Sequence, residues 1–320
     1  MTGISGSLQA SINALGGGGG SSIAVPQTAW LSVSGNNSTA AVGNPAKPYL
    51  SASNAVTAGA NVLVIEPGVT GSYTYNGGKG NNLTIIGFGS GLCALNITAT
   101  SDLTIVGNGQ DMISISVTAN GSNGADDNNN IPYGDGNPGG NGNNGYNVTI
   151  TNANISVSVQ GGNGGKGGDG LPTGGGNGNP GGTGGTGGNG GTVTATRCTI
   201  TSCLLDGGNG GTGGNGSGAD SYGSDNSGGN GGDGGNGGTA GALTATECTL
   251  IYFSNNGGNG GSGGANEGPD ESGNASNGNT PGQAGSSTSL LCLSTVNLSI
   301  SNYTMQGCIY ASSFVDNGTG

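Results

Sequence analysis

Apolar and hydroxyl-bearing residues alternate in four short runs of the second half of the chain: VTITNANI (148–155), VTATRCTI (193–200), LTATECTL (243–250) and LCLSTVNL (291–298). Their starts are 45, 50 and 48 residues apart, and each leads into a second apolar stretch, SVSV, TSCLL, IYFSN or SISNY. Alternation with a period of two predicts strands, here paired strands with a bend between them. The first half repeats more tightly. VLVIEPG starts at Val62, LTIIGFG at Leu83 and LTIVGNG at Leu103, in steps of 21 and 20 residues. Self-similarity at a fixed period marks a solenoid. A step of this size fits one coil of a parallel β-helix, in which each strand pairs with the coil below and the open edges are few. The fold class expected is all-β with irregular segments. The longer later period is then one coil plus an insertion.

The insertions, at about 120–146, 160–192, 206–241 and 256–289, are rich in glycine, which supplies 79 of the 320 residues. They run in triplets: GGNGGKGGD (161–169), GGTGGTGGNGG (181–191), GGNGGTGGN (207–215), GGNGGDGGNGG (228–238) and GGNGGSGG (257–264). A flexible linker needs no period. Collagen shares the triplet but depends on abundant proline, and the chain has ten Pro. Polyglycine II, the glycine counterpart of the polyproline helix, fits better. It has three residues per turn, a rise of about 3.1 Å and no internal hydrogen bonds. Such helices are stable only side by side, exchanging backbone hydrogen bonds, with the non-glycine residue of each turn facing outward. Each insertion has two triplet arms around an irregular centre, which predicts a hairpin of two such helices. Coils spaced by about 4.8 Å would stack successive hairpins within bonding distance.

Ahead of the strands, Ile4, Leu8, Ile12 and Leu15 form one apolar helical stripe that ends at Gly16–Gly20. Residues 1–29 are therefore expected to be a short N-terminal helix and a Gly-rich linker. Residues 30–119 would be the β-helix entry and first coils, and 120–320 the coils that carry the Gly hairpins.

Composition narrows the chemistry. Four Lys+Arg stand against sixteen Asp+Glu, for a net charge of −12. That argues against nucleic acid or an anionic membrane as partner. No apolar run reaches membrane-spanning length, and the first residues lack a basic start and a long apolar core. Assembly in a cytoplasm is expected. The six Cys lie mostly inside apolar runs and read as buried free thiols. The chain has no His and one Arg, Arg197. The acids near the coils are Glu66, Asp102, Asp111, Asp206 and Glu247, and Asp206 and Glu247 occupy unlike positions of their repeats, so no acid ladder forms. Glycan cleavage needs converging carboxylates, so no catalytic residue, cofactor or metal is assigned. Lys166 sits among glycines but lacks the following Ser or Thr of a phosphate loop. GADDNNN (124–130) and SYGSDNS (221–227) are acidic and Asn-rich, without the spacing of a calcium loop.

One segment carries a family resemblance. In WLSVSGNNSTAAVGNPAKPYLSASNAVTAGANVLVIEPGVTGSY (30–73), Val33, Gly35, Asn37, Thr39, Val42, Gly43, Lys47, Pro48, Tyr49 and Pro67–Gly68 resemble the entry segment of pectate-lyase-like right-handed β-helix proteins, including phage tail spikes. The Gly-Gly-X tracts between about 160 and 265 resemble those of T-even-like phage tail-fibre tip adhesins, where Gly-rich motifs alternate with variable loops in a polyglycine II sandwich. Together these resemblances imply a right-handed β-helix and a non-enzymatic virion protein. That protein would assemble in the host cytoplasm and be extracellular after lysis. The loop centres would bind a host surface receptor, protein or glycan, through Asp126, Asp127, Ile131, Tyr133, Asp135, Leu171, Pro172, Asp220, Tyr222, Asp225, Glu267, Asp270 and Glu271. The N-terminal region would join another virion or fibre subunit, as a homotrimer or as a single copy capping a fibre. Two other readings stay open. One is a structural fibre, decoration or self-assembling filament protein. The other is ice binding through a ladder of Thr149/Thr151, Thr194/Thr196 and Thr244/Thr246.

Overall fold

The computed structural model describes residues 27–75, 83–87, 93–107, 113–127, 135–171, 178–217, 229–265, 281–286, 291–292, 297–300 and 313–316. The chain enters on β1 (Thr28–Leu31) and passes through helix α1 (Ala52–Thr57) to β2 (Val62–Ile65), β3 (Thr70–Tyr75) and β4 (Leu83–Gly87). It continues through β5 (Cys93–Ala99), β6 (Leu103–Val106), β7 (Ile113–Thr118), β8 (Val148–Thr151) and β9 (Asn154–Ser158). Then come β10 (Thr192–Thr196), β11 (Thr199–Leu204), β12 (Ala242–Thr246), β13 (Thr249–Leu250) and β14 (Phe253–Ser254). β15 (Leu291–Cys292), β16 (Asn297–Ile300) and β17 (Ser313–Asp316) complete the order. The expected N-terminal stripe lies outside the described residues.

The fold is all-β, with two parallel sheets. One runs β1-β2-β4-β6-β8-β10-β12-β15; the other runs β17-β16-β13-β11-β9-β7-β5-β3, with β14 beside β11. From β2 to β13 successive strands alternate between the sheets. Every second residue faces inward, so identical register stacks like upon like. In the first sheet Val148, Val193 and Leu243 pair in one column, and Ile150, Ala195 and Ala245 in the next. In the second, Ile115, Ile155, Ile200 and Leu250 pair, as do Val117, Val157, Cys203 and Phe253. These columns meet in one buried apolar cluster. A register shift between Ile200 and Ser202 bulges β11.

Two registers differ from the sequence repeat. Leu63 pairs with Ile85, and Leu83 pairs with Ile105, so both steps are 22 residues rather than 21 and 20. All four of these residues are buried. Aligning Val62 with Leu83 would set a half-buried residue on a core one, which the in–out alternation forbids. Likewise Leu291 pairs with Thr244, not Leu243, whereas Leu298 keeps its expected partner Leu250. The fourth repeat thus spends one more residue between its two strands.

The entry segment covers an open edge. Tyr49 lies beside Leu31 as an isolated bridge, donating from its amide to the Trp30 carbonyl (2.7 Å) and accepting from the Ser32 amide (3.0 Å). Gly35 makes this approach feasible: a Cβ there would lie 2.7 Å from the Leu50 nitrogen. Asn37 holds the returning chain, its Oδ1 accepting from the Leu50 and Ser51 amides (2.9 and 3.2 Å). Ser51 then caps α1, and the helix buries Ala52 and Ala55.

Between the paired strands of later repeats the chain turns through one residue. Asn152, Arg197 and Glu247 all have φ 53°, the left-handed region. Only Asn is at ease there. Their neighbours Cys198 and Cys248 are buried and unbridged, as is Cys203. The Cys198 amide donates to Cys248 Sγ (3.4 Å). The Cys198 thiol is pushed up by its hydrogen bond with Cys248 and by burial, and the Cys203 thiol by burial.

Candidate functional site: the glycine arms and their tips

Each insertion leaves the second sheet as an outgoing arm and re-enters the first sheet as a return arm. The outgoing arms are 120–127, 160–171, 206–217 and 256–265; the return arms are 135–146, 178–191, 229–241 and 281–286. Arms of one kind stack in parallel. Gly161, Gly164, Gly167 and Gly170 donate from their amides to the carbonyls of Asp206, Asn209, Thr212 and Asn215 at 2.8–3.0 Å. In the return row Gly181, Gly184, Gly187 and Gly190 donate to Asn230, Asp233, Asn236 and Thr239 at 2.8–2.9 Å. The second glycine of each triplet bonds across to the other row, where the chain runs antiparallel. Gly162, Gly165 and Gly168 donate to Asn143, Gly140 and Asn137, while Gly182, Gly185 and Gly188 donate to Gly168, Gly165 and Gly162. The bonds run between arms, every third residue.

Both glycines of a triplet are therefore enclosed by backbone. A Cβ at Gly164 would lie 2.5 Å from the Gly185 carbonyl carbon and 2.8 Å from the Gly211 nitrogen; one at Gly165 would lie 2.5 Å from the Ala125 carbonyl carbon. Real Cβ atoms do not approach so closely. The third residue faces solvent: Asn163, Lys166, Asp169, Thr183, Thr186, Asn209, Asp233 and Asn259 are exposed.

Those outward residues have a structural task that the sequence pattern alone did not assign. Asn163 accepts the Asn209 amide through Oδ1 (2.9 Å), and Gly164 donates to the Asn209 carbonyl (2.8 Å). Two successive residues thus clamp one residue of the next arm. The clamp recurs where Asn123–Gly124 grips Asn163, Asn189–Gly190 grips Thr239 and Asn236–Gly237 grips Gln283. Asp169 takes the same part towards Asn215 (2.8 Å). That amide, then the Lys166 ammonium at 3.2 Å, holds its carboxyl below the usual carboxylate range. At the junction with the second sheet, the Gln160 amide donates to Asn120 Oδ1 and the Asn256 amide to Asp206 Oδ1.

Stacked outgoing arms lie 40, 46 and 50 residues apart, counted between Asn123, Asn163, Asn209 and Asn259. Return arms lie 45 (Asn144 to Asn189), 50 (Asn189 to Thr239) and 47 (Asn236 to Gln283) residues apart. Register is kept along the described rungs, so the stretch joining outgoing to return arm changes by five, four and three residues from one insertion to the next.

The described tip residues fall at the arm ends. Asp126 accepts the Lys166 amide through Oδ1 (2.8 Å), and the Asp127 amide donates to the Lys166 carbonyl (3.0 Å). Both therefore belong to the last rung of the first arm. Asp135 is exposed at the start of its return arm, and Leu171 is half-buried, its carbonyl accepting from Asn179 Nδ2. Ile131, Tyr133, Pro172, Asp220, Tyr222, Asp225, Glu267, Asp270 and Glu271 lie outside the described residues. The sequence reading does not single out Ser217. It is buried and exchanges bonds with Asn179, whose amide donates to its Oγ (2.7 Å) and whose carbonyl accepts its amide (2.9 Å). Its only signal in the sequence is a serine at a glycine place in the triplet.

The outer face of the first sheet carries aligned threonines: Thr104, Thr149, Thr194 and Thr244 in one rank, Thr151, Thr196 and Thr246 in the next. Among the described residues no group of three His, Cys, Asp or Glu is placed to hold a metal ion, and no helix is long and apolar enough to cross a membrane.

No family model matches the chain, and no curated protein matches it. Among solved structures, a rhamnogalacturonan lyase aligns over 86% of this chain and 67% of its own, at 11% identity and a TM-score of 0.21, a likeness too slight to bear on fold or activity.

Proposed function

We propose that the two parallel sheets form a right-handed β-helix, and that the arms form a two-layer polyglycine II sandwich growing from it. Alternation of strands between sheets supports the first part. Hydrogen bonds that recur every third residue between arms support the second. On this scaffold the tips are the working part. The protein is a non-enzymatic virion adhesin, a tail-fibre or spike component that binds a host surface receptor, with its N-terminal region joined to another subunit.

The observation that carries this reading is the division between arms and tips. Register in the stack is constant while tip length varies by several residues. A rigid scaffold with variable loops is a common arrangement for recognition. The third and fourth tips are acidic, with Asp220 and Asp225 in one and Glu267, Asp270 and Glu271 in the other, which suits a neutral or basic receptor. Replacing the tips at 128–134, 172–177, 218–228 and 266–280 by Gly-Ser segments of equal length should abolish adsorption to the host and leave the circular dichroism spectrum unchanged. Adsorption that survives all four replacements overturns the reading and favours a structural fibre or filament, which imaging of virions would then locate along a shaft.

The threonine ranks favour one second reading, ice binding by the outer face of the first sheet. A thermal hysteresis assay tests it, and the variant Thr149→Lys/Thr194→Lys would remove any activity seen.

A further inference from the structure

The arms are built from Asn-Gly steps, and Asn-Gly is the dipeptide most prone to deamidation. The glycine nitrogen, with no side chain beside it, loses its proton to water and attacks the Asn Cγ. Ammonia leaves and a five-membered succinimide remains. Water then opens the ring on either side, giving Asp or isoaspartate. The net change is one water consumed and one ammonia released, and nothing else is required.

The clamp opposes this reaction at both reacting groups. In Asn163–Gly164 the Gly164 N–H is committed to the Asn209 carbonyl at 2.8 Å, and Asn163 Oδ1 is held towards the Asn209 amide at 2.9 Å. For attack, the Asn163 side chain must swing back over its own peptide and the Gly164 N–H must be freed. Both bonds must open together. The same holds for Asn209–Gly210, gripped on Asn259 at 2.9 and 2.8 Å. Asn259–Gly260 lies in the last outgoing arm among the described residues. No described residue stacks on its far side or closes a clamp over it. Asn259 is solvent-exposed.

We propose that Asn259 is a deamidation site of the arms, and that the inner Asn-Gly steps are chemically protected by the stack itself. The consequence is directional. Ageing begins at the outer arm, where an isoaspartate at 259 adds a backbone atom and puts the triplets from Gly260 to Gly264 out of register with the arm below. Loss of that arm then uncovers Asn209.

The test follows deamidation of the full-length folded protein at mildly alkaline pH by peptide mass mapping, with isoaspartate detection. Asn259 is expected to react about 30-fold faster than Asn163 and Asn209, the factor that two hydrogen bonds of ordinary net strength impose on a local opening. In strong urea the three sites should react alike, which shows that the difference comes from the fold. Equal rates at Asn259 and Asn209 in the folded protein overturn the proposal. A second measurement addresses the cause. Gly261→Val, which forces a side chain against the arm below, should raise the Asn209 rate towards that of Asn259. An Asn209 rate unchanged in that variant while the last arm is detached, as judged by amide exchange, would also overturn it.

Discussion

The amide of Asn209 donates to Oδ1 of Asn163, and the carbonyl of Asn209 accepts from the residue that follows Asn163. This paired contact explains why asparagine so often fills the third place of the glycine triplet. Two glycines per turn leave room for backbone neighbours, but the third amide points to the outer edge, where no backbone oxygen awaits it. A short side chain with a carbonyl supplies one. Replacing Asn163 by Ala should cost about 1 kcal/mol, the net worth of one hydrogen bond. Asn163→Asp, which keeps the acceptor as Asp169 and Asp206 do, should cost less. Urea denaturation of the two variants measures the difference.

Glycine is required at both inner places. Gly164→Val would drive a side chain into the Gly185 carbonyl and the Gly211 amide, and should destabilise by about 3 kcal/mol. It should also loosen the arms on either side. Lys166→Ser, at an exposed place, loses only the surface pair with Asp169. It should stay within about 0.5 kcal/mol of the parent in the same denaturation experiment.

The strand corners hold strain that can be relieved. Glu247 sits at φ 53°, a conformation that costs a typical residue about 1 kcal/mol. Glu247→Asn or Glu247→Gly should therefore raise the unfolding free energy by about that amount. No change in thermal midpoint would show that the backbone there relaxes at no cost.

Acid should loosen the arms before the sheets. The Asp169 carboxyl is held below its ordinary range by the Asn215 amide and Lys166. Its folded value is thus lower than its unfolded one. The stability it adds is present above the unfolded value and is lost as pH falls through the folded one. Asp169→Asn keeps an acceptor for Asn215 and removes the titration. The variant should lose less stability than the parent as the pH falls below about 4, the ordinary aspartate value. Parallel acid titrations for the two proteins would contradict this.

Much of the scaffold was legible because periodicity is a physical signal. Alternation between Val148 and Ile155 marks strands whichever partners they find, and the triplet spacing of 161–169 marks arms whose bonds come from outside. What stayed hidden were choices set by neighbours in space. The 22-residue register of Leu63 with Ile85 follows from which side is buried, and repeat alignment is blind to that. The slip of Leu291 onto Thr244 depends on one residue between two strands. Asn37 and Tyr49 stood out as a pattern, but only the fold shows that they cover the edge of β1. Asp126 looked like a tip residue because acids crowd that segment, and its bond to the Lys166 amide places it on the last rung of the arm.

The central claim is that glycine tracts with no internal hydrogen bonds are ordered by their neighbours. Amide hydrogen exchange tests it most directly, because it reads each donor separately. The amides of Gly164, Gly165, Gly211 and Gly235 are each bonded to another arm at 2.7–2.8 Å. They should exchange as slowly as those of Asn152 and Val159 at the strand ends. Exchange of the four at the rate of an unstructured chain, while the strands stay protected, would contradict the account and return the tracts to flexible linkers.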